Sequence, residues 1–320
     1  MRNFVRRNLM PESTTDKPLI NPYLAVLVGV LAVSFSSLFV KLSSAPSIVI
    51  ATYRLLFSFL ILAPFTVTVK RSDLKSMSQK EILMAAASGI FLAMHFFTWF
   101  TSLKYTSVAS STVLVTTQPI FVVLGSYLFF KEKITVKAML GGALALTGSV
   151  IVGASDFRVG ADALFGDVLA LAAAVLVSGY LIIGRRLRSM VSLSAYTFVT
   201  YGSASLTLVL ISFVSRTPFF PYSLKDWLLF LALAVVCTIL GHTSFNWALR
   251  YLPASVIAVS VLGEPIGAII WALVFLAEIP TPRQIFGGAV ILIGIYIFTR
   301  SSRKPPAREI QSNFHIGLHQ

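Results

Sequence analysis

The residues best suited to chemistry sit where charge costs most. In Ser260-Val261-Leu262-Gly263-Glu264-Pro265-Ile266-Gly267, a carboxylate and a proline fall inside an apolar run from Ala254 to Ala277. An ionisable group at that depth marks a functional site by default. Proline removes a backbone donor and frees a carbonyl that only neighbours or a polar cavity can satisfy. Glu264 lies about 15 Å along a helix from Ala254, near the midplane of a bilayer. It is read as a partner for a cationic or amine group of a substrate, or as the carrier of a coupling proton. The alternative is a kink-stabilising residue bonded to a neighbouring helix.

Other candidates are sparser. Arg54 falls about a third of the way into a second apolar run; it needs a carboxylate or a substrate anion if buried, and otherwise snorkels to the interface. His95 and Trp99 are four apart and share a helix face, as do His242 and Asn246, with Trp247 beside them. Such pairs point into a bundle or a water-filled cavity, although a lone intramembrane histidine also serves as an interhelical hydrogen-bond partner. Tyr180, Tyr201, Trp99 and Trp247 are candidate aromatic walls for cation–π contact, set against ordinary core packing. Thr112, Thr116 and Pro119 repeat on one face, where hydroxyls more often bond back to their own helix. The substrate-binding set is therefore Glu264, Arg54, His95, Trp99, Asn246, His242, Tyr201 and Gln118, with Glu264 for proton coupling.

These residues must be carried by membrane helices. The chain is 56% hydrophobic and 12% charged, with mean hydropathy +0.84, against about 25% charged residues in soluble domains. Ten spans are expected, at about 22–42, 47–69, 82–103, 107–130, 136–153, 165–185, 193–214, 226–249, 254–277 and 284–300. The fold expected is an all-α integral membrane protein. A basic tail at 1–21 precedes the first span, which is too long for a signal peptide and is expected to be retained. The net charge of +14 does not indicate nucleic-acid binding, because Lys and Arg lie in short loops. If the N-terminus is cytoplasmic, 19 of the 26 basic residues lie on the inner side and 6 on the outer. The positive-inside rule then places both termini in the cytoplasm.

The chain also repeats itself. Shifted by 146 residues, Tyr105 falls on Tyr251, Pro119 on Pro265, Glu132 on Glu278 and Gly141-Gly142 on Gly287-Gly288. Two units follow, 22–153 and 165–300, joined by an outer linker at 154–164 and trailed by a tail at 301–320. Five helices per unit is odd, so the second enters the membrane inverted, as in many secondary transporters whose sites lie between the halves. Gln118-Pro119 is the counterpart of Glu264-Pro265, so Pro119 and Pro265 read as shared architecture and the charge as the property of one half. Gly141 and Gly148, and likewise Gly287 and Gly294, are seven apart and read as close helix packing. Glu132 and Glu278 end the fourth and ninth spans, as partners for a local base or as gate locks.

With these motifs in hand, the chain resembles the drug/metabolite transporter superfamily, specifically its EamA-type carriers. The resemblance rests on Ser102-Leu103-Lys104-Tyr105 leading into Pro119, on Lys131-Glu132-Lys133, and on Gly263-Glu264-Pro265 with Gly287-Gly288. It implies a ten-helix carrier whose helices 1–4 and 6–9 surround a central cavity, with 5 and 10 as scaffold. Members often export amino acids or other small metabolites. Nothing in the chain suggests an enzyme: there is no Walker A loop, no His-Glu-x-x-His and no Gly-x-Ser-x-Gly. Neither cofactor nor metal is expected, and the single Cys237 excludes a disulfide within the chain. The expected function is alternating-access export of amino acids or related polar compounds across a prokaryotic cytoplasmic membrane, by a monomer or homodimer, driven by protons. Uncoupled facilitated diffusion and, more remotely, a membrane enzyme are the alternatives.

Overall fold

The computed structural model describes residues 18, 20–106, 108–153, 161–276 and 279–302. Glu278 lies outside them, as do most of the two expected tails and residues 154–160 of the expected linker. Ten helices are long and apolar enough to cross a membrane: α1 Pro22–Leu42, α2 Ser47–Thr68, α3 Gln79–Tyr105, α4 Ser110–Phe130, α5 Val136–Gly153, α6 Ala161–Arg188, α7 Leu193–Val214, α8 Leu224–Ala248, α9 Ala254–Phe275 and α10 Pro282–Ser301. Their outward faces carry Leu60, Phe129, Leu206 and Phe286, all exposed, as a lipid-facing surface requires. The chain is a multi-pass membrane protein.

Several helices begin earlier than hydropathy suggests, because polar caps start them. Ser78 and Glu81 form a capping box at the head of α3, and Thr281 with Gln284 does the same for α10. Ser223 caps α8 by accepting from the Asp226 amide. The last residues assigned to the linker, 161–164, belong to α6, whose first turn holds Asp162; an acid there suits the helix dipole. The connection between α2 and α3 also contains a short helix, Arg71–Lys75.

The packing has the pairing that an inverted repeat requires. Helix α1 packs on α8, and its counterpart α6 packs on α3. Contacts of α3 with α7 mirror those of α8 with α2, and α4 with α6 mirrors α9 with α1. The pairs α2–α7, α4–α9 and α5–α10 map onto themselves. Each half alone leaves an apolar face uncovered, and the other half covers it.

The α5–α10 pair is in backbone contact. A Cβ on Gly148 would sit 2.7 Å from the Ile291 amide and 2.8 Å from the Gly287 carbonyl oxygen, and one on Gly294 would sit 2.4 Å from the Ala145 amide. Gly141 and Gly287 meet the facing backbone in the same way. Small residues that let helices approach this closely stabilise membrane bundles through van der Waals contact. Gly288, by contrast, has only the Ile266 side chain at 3.7 Å. Gly294→Ala should therefore cost about 1–3 kcal/mol through overpacking, whereas Gly288→Ala should be nearly neutral. Thermal unfolding of the two variants in detergent checks this, and equal melting temperatures would contradict the account.

Candidate functional site

Four of the helices that surround the centre are irregular where they pass it, α1 being interrupted between Val33 and Ser36. In α4, the helical segments end at Val115 and resume at Gln118. In α9, they end at Val261 and resume at Glu264. Both breaks precede a proline that cannot donate to the preceding turn. Thr116 and Thr117 compensate in α4 by bonding to the Val113 and Leu114 carbonyls. Each resumed segment starts at the polar residue, so Gln118 and Glu264 stand at half-helix N-termini, the positive ends of their dipoles. Helix α8 departs differently, with π-type winding from Leu233 to His242. Such windings recur at functional sites.

A cavity of about 50 Å³ lies between the halves. Arg54, His95, Trp99, Gln118, His242 and Glu264 all line it. Six of the eight residues expected in the site thus line the same cavity. Asn246 and Tyr201 do not; they form a layer behind it. Tyr180, which does line the cavity, donates its hydroxyl to Asn246 Oδ1 at 2.8 Å, and Asn246 Nδ2 donates to the Tyr201 hydroxyl at 3.3 Å. Trp247 packs against Tyr251, 4.8 Å between ring centroids.

Arg54 does not snorkel; it is 1% exposed. Its Nε donates to Thr238 Oγ1 at 2.9 Å, its Nη1 donates to Ser36 Oγ at 2.7 Å, and the guanidinium lies 4.1 Å from the centre of the Phe96 ring. Ser36 comes from α1 and Thr238 from the π segment of α8, so one side chain on α2 ties both halves together. Ser36 is itself placed by α9. The Trp271 indole donates to Ser34 Oγ at 2.8 Å and stacks on Phe35 at 4.1 Å, at the point where α1 is interrupted. Gly267 allows this approach, since a Cβ there would fall 2.2 Å from Ser34 Oγ. Ser36, Thr238 and Phe96 were not foreseen as site residues. Hydroxyls in apolar runs are common, and no sequence pattern announces π winding.

Among the described residues, the one ion pair within 4.0 Å joins Arg185 to Glu132. Arg54 and Glu264 therefore face the same cavity without bridging each other. His95 Nδ1 lies 2.9 Å from the Ala173 carbonyl oxygen. A carbonyl can only accept, so Nδ1 carries the hydrogen and Nε2 of the neutral ring is an acceptor. Trp99 Nε1 and His242 Nδ1 are buried with no protein partner. Burying such groups unpaired is costly, which singles them out as candidate contacts for a ligand.

A ten-helix membrane protein built as two inverted halves around a charged central cavity has the architecture of a secondary transporter. Comparison with known proteins agrees. The EamA-like transporter family model matches residues 20–154 and again 164–300. The chain belongs to that family, within the drug/metabolite transporter superfamily. It is 26% identical over 231 residues to the pseudopaline exporter CntI of Pseudomonas aeruginosa, covering 71% of this chain and 78% of that one. An uncharacterised transporter of Archaeoglobus fulgidus is 25% identical over 284 residues, covering 86% and 96%. A crystal structure with 18% identity superposes with a TM-score of 0.73 over 88% of this chain and 97% of that one, a likeness of fold.

Holding Arg54 depends on neutral hydroxyls. Thr238→Val keeps the shape of that side chain and removes the Nε acceptor. A buried donor left unpaired costs about 1–3 kcal/mol, more when charged. The variant should unfold at a lower temperature than the wild type, and an unchanged melting temperature would show that the hydroxyl contributes nothing.

Proposed function

We propose that the protein is a secondary active carrier that moves a small polar metabolite across a prokaryotic cytoplasmic membrane by alternating access. The observation that carries this reading is the Glu264 carboxylate at the break in α9, facing a central cavity it shares with a fixed guanidinium. An unbridged carboxylate in such a cavity can exchange a proton for a cationic group of the cargo, which couples the two fluxes. Glu264 is the proton carrier in this account, and the reaction is proton-coupled export of amino acids or related polar compounds. The naming of CntI as an exporter supports the direction. The excess of Lys and Arg on one side supports cytoplasmic placement of both termini.

The size of the cavity also bears on mechanism. At about 50 Å³ it holds one or two waters, given about 30 Å³ for each. Ligand pockets run to about 300–1,000 Å³, so admitting a cargo of metabolite size requires the surrounding helices to move apart. The inner side of the bundle, in the orientation proposed, is tied by arginines of α6. Arg185 Nη1 donates to the Leu249 carbonyl and Arg188 Nε to that of Asn246. Opening on that side must release these bonds to α8 and the loop that follows it.

The test begins with the compound that accumulates outside cells overexpressing the protein and is depleted outside cells lacking it. In proteoliposomes, the wild type should concentrate that compound against a pH gradient. Glu264→Gln should lose pH-driven uptake while retaining exchange of labelled for unlabelled compound. If the variant keeps pH-driven uptake, Glu264 is not the coupling residue. If the wild type itself ignores the pH gradient, the carrier is facilitative or uses another ion.

A further inference from the structure

We infer that Arg54 and the Trp99 indole form a subsite for a carboxylate group, so that the cargo carries an acid. This rests on the carrier reading above and deepens it, by assigning the acid group to named residues and excluding polar cargo that lacks one.

The inference starts from the unused donors. A guanidinium offers five N–H donors and no acceptor. Arg54 spends one from Nε on Thr238 and one from Nη1 on Ser36. Nη2 makes no hydrogen bond among the described residues, although the side chain is 1% exposed and lines the cavity. Both partners it does have are neutral, so no protein anion directly bonds or bridges the cation. The second observation is independent of the first. Trp99 is 5% exposed, lines the same cavity, and its Nε1–H has no partner. Indole nitrogen is a donor only, so whatever completes it must be an acceptor.

The orientation of Arg54 is set before any ligand arrives. Phe96 supports one face of the guanidinium, and the hydroxyls of Ser36 and Thr238 hold two of its nitrogens. A guanidinium fixed this way loses little freedom on binding and suits a planar, two-oxygen anion. Phosphate fits less well: it brings about two charges to a cavity whose one other charged wall residue is an anion, Glu264. A carboxylate supplies one charge and the acceptors that Nη2 and Trp99 lack. Glu264 and the acceptor Nε2 of His95 are left to meet donors elsewhere on the cargo, so the cavity sorts the two ends of its ligand by hydrogen-bond polarity.

The test needs no knowledge of the natural cargo. Acetate is a small probe for a small cavity, and ethylammonium is its cationic counterpart. Thermal unfolding of the full-length protein in detergent is measured in sodium acetate, ethylammonium chloride and sodium chloride at equal ionic strength. Ligand that binds only the folded state stabilises it by RT ln(1 + [L]/Kd) and so raises the melting temperature. Acetate should raise it above the chloride control, and the rise should disappear in Arg54→Gln. Trp99→Phe, which removes only the indole donor, should reduce the rise, and covers the case in which Arg54→Gln does not fold. The inference is overturned if acetate acts no differently from chloride, or if the rise survives both substitutions. Loss of pH-driven transport in the wild type with the acetate effect intact would instead sink the coupling mechanism and leave the subsite standing.

Discussion

The structure turns on one buried cation. A guanidinium placed among apolar helices costs several kcal/mol unless its donors are met, and here two hydroxyls and an aromatic face meet part of the demand. Meeting it dictates much else. Helix α8 winds as a π helix through the residue that receives Nε, and α1 is interrupted two residues before the serine that receives Nη1. That interruption is in turn braced by Trp271 and Gly267 of α9, the same helix that carries Glu264. The cation and the carboxylate are therefore linked through α1 as well as across the cavity. A movement of α9 that releases Trp271 from Ser34 also disturbs what holds Arg54.

The two halves share an architecture and divide the chemistry. Breaks before Pro119 and Pro265, the mirrored helix contacts and the glycine seam between α5 and α10 belong to both. The charges do not. Glu264 has Gln118 as its counterpart, and the π winding of α8 has none in the regular α3. For the carrier proposed, symmetric scaffolding would give two closures of similar energy, which alternating access requires. On the same proposal, asymmetric charge would give each closure a different affinity for proton and cargo, and a ligand moves an equilibrium only by such a difference.

Much of this is written in the sequence. Length and hydropathy give all ten spans, and the matched Pro, Glu and Gly of the repeat cannot arise from apolar bias alone. Glu264, Arg54, His95 and His242 stand out because a charged or titratable group inside an apolar run needs a reason. What the sequence hides is who answers them. Ser36 and Thr238 look like any hydroxyl residue in a membrane helix, most of which bond to their own backbone, as Thr98 and Ser260 do. Only the fold brings Thr238 beside Arg54, 184 positions away in the chain. Helix starts fall a few residues earlier than hydropathy places them for a related reason: the first turns are polar and are begun by the caps Ser78, Ser223 and Thr281. The separation of Tyr201 and Asn246 from the cavity wall is likewise a matter of rotation about helix axes, to which a four-residue spacing is insensitive.

The central claim is that one cavity, beside Glu264, serves both faces of the membrane in turn. It is tested most directly by the reach of a membrane-impermeant thiol reagent to Val261→Cys, a cavity-lining position three residues before Glu264, in a Cys237→Ala background. The account predicts labelling in inside-out vesicles and in right-side-out vesicles alike. Labelling from one face alone, under every condition of pH and cargo, would contradict it.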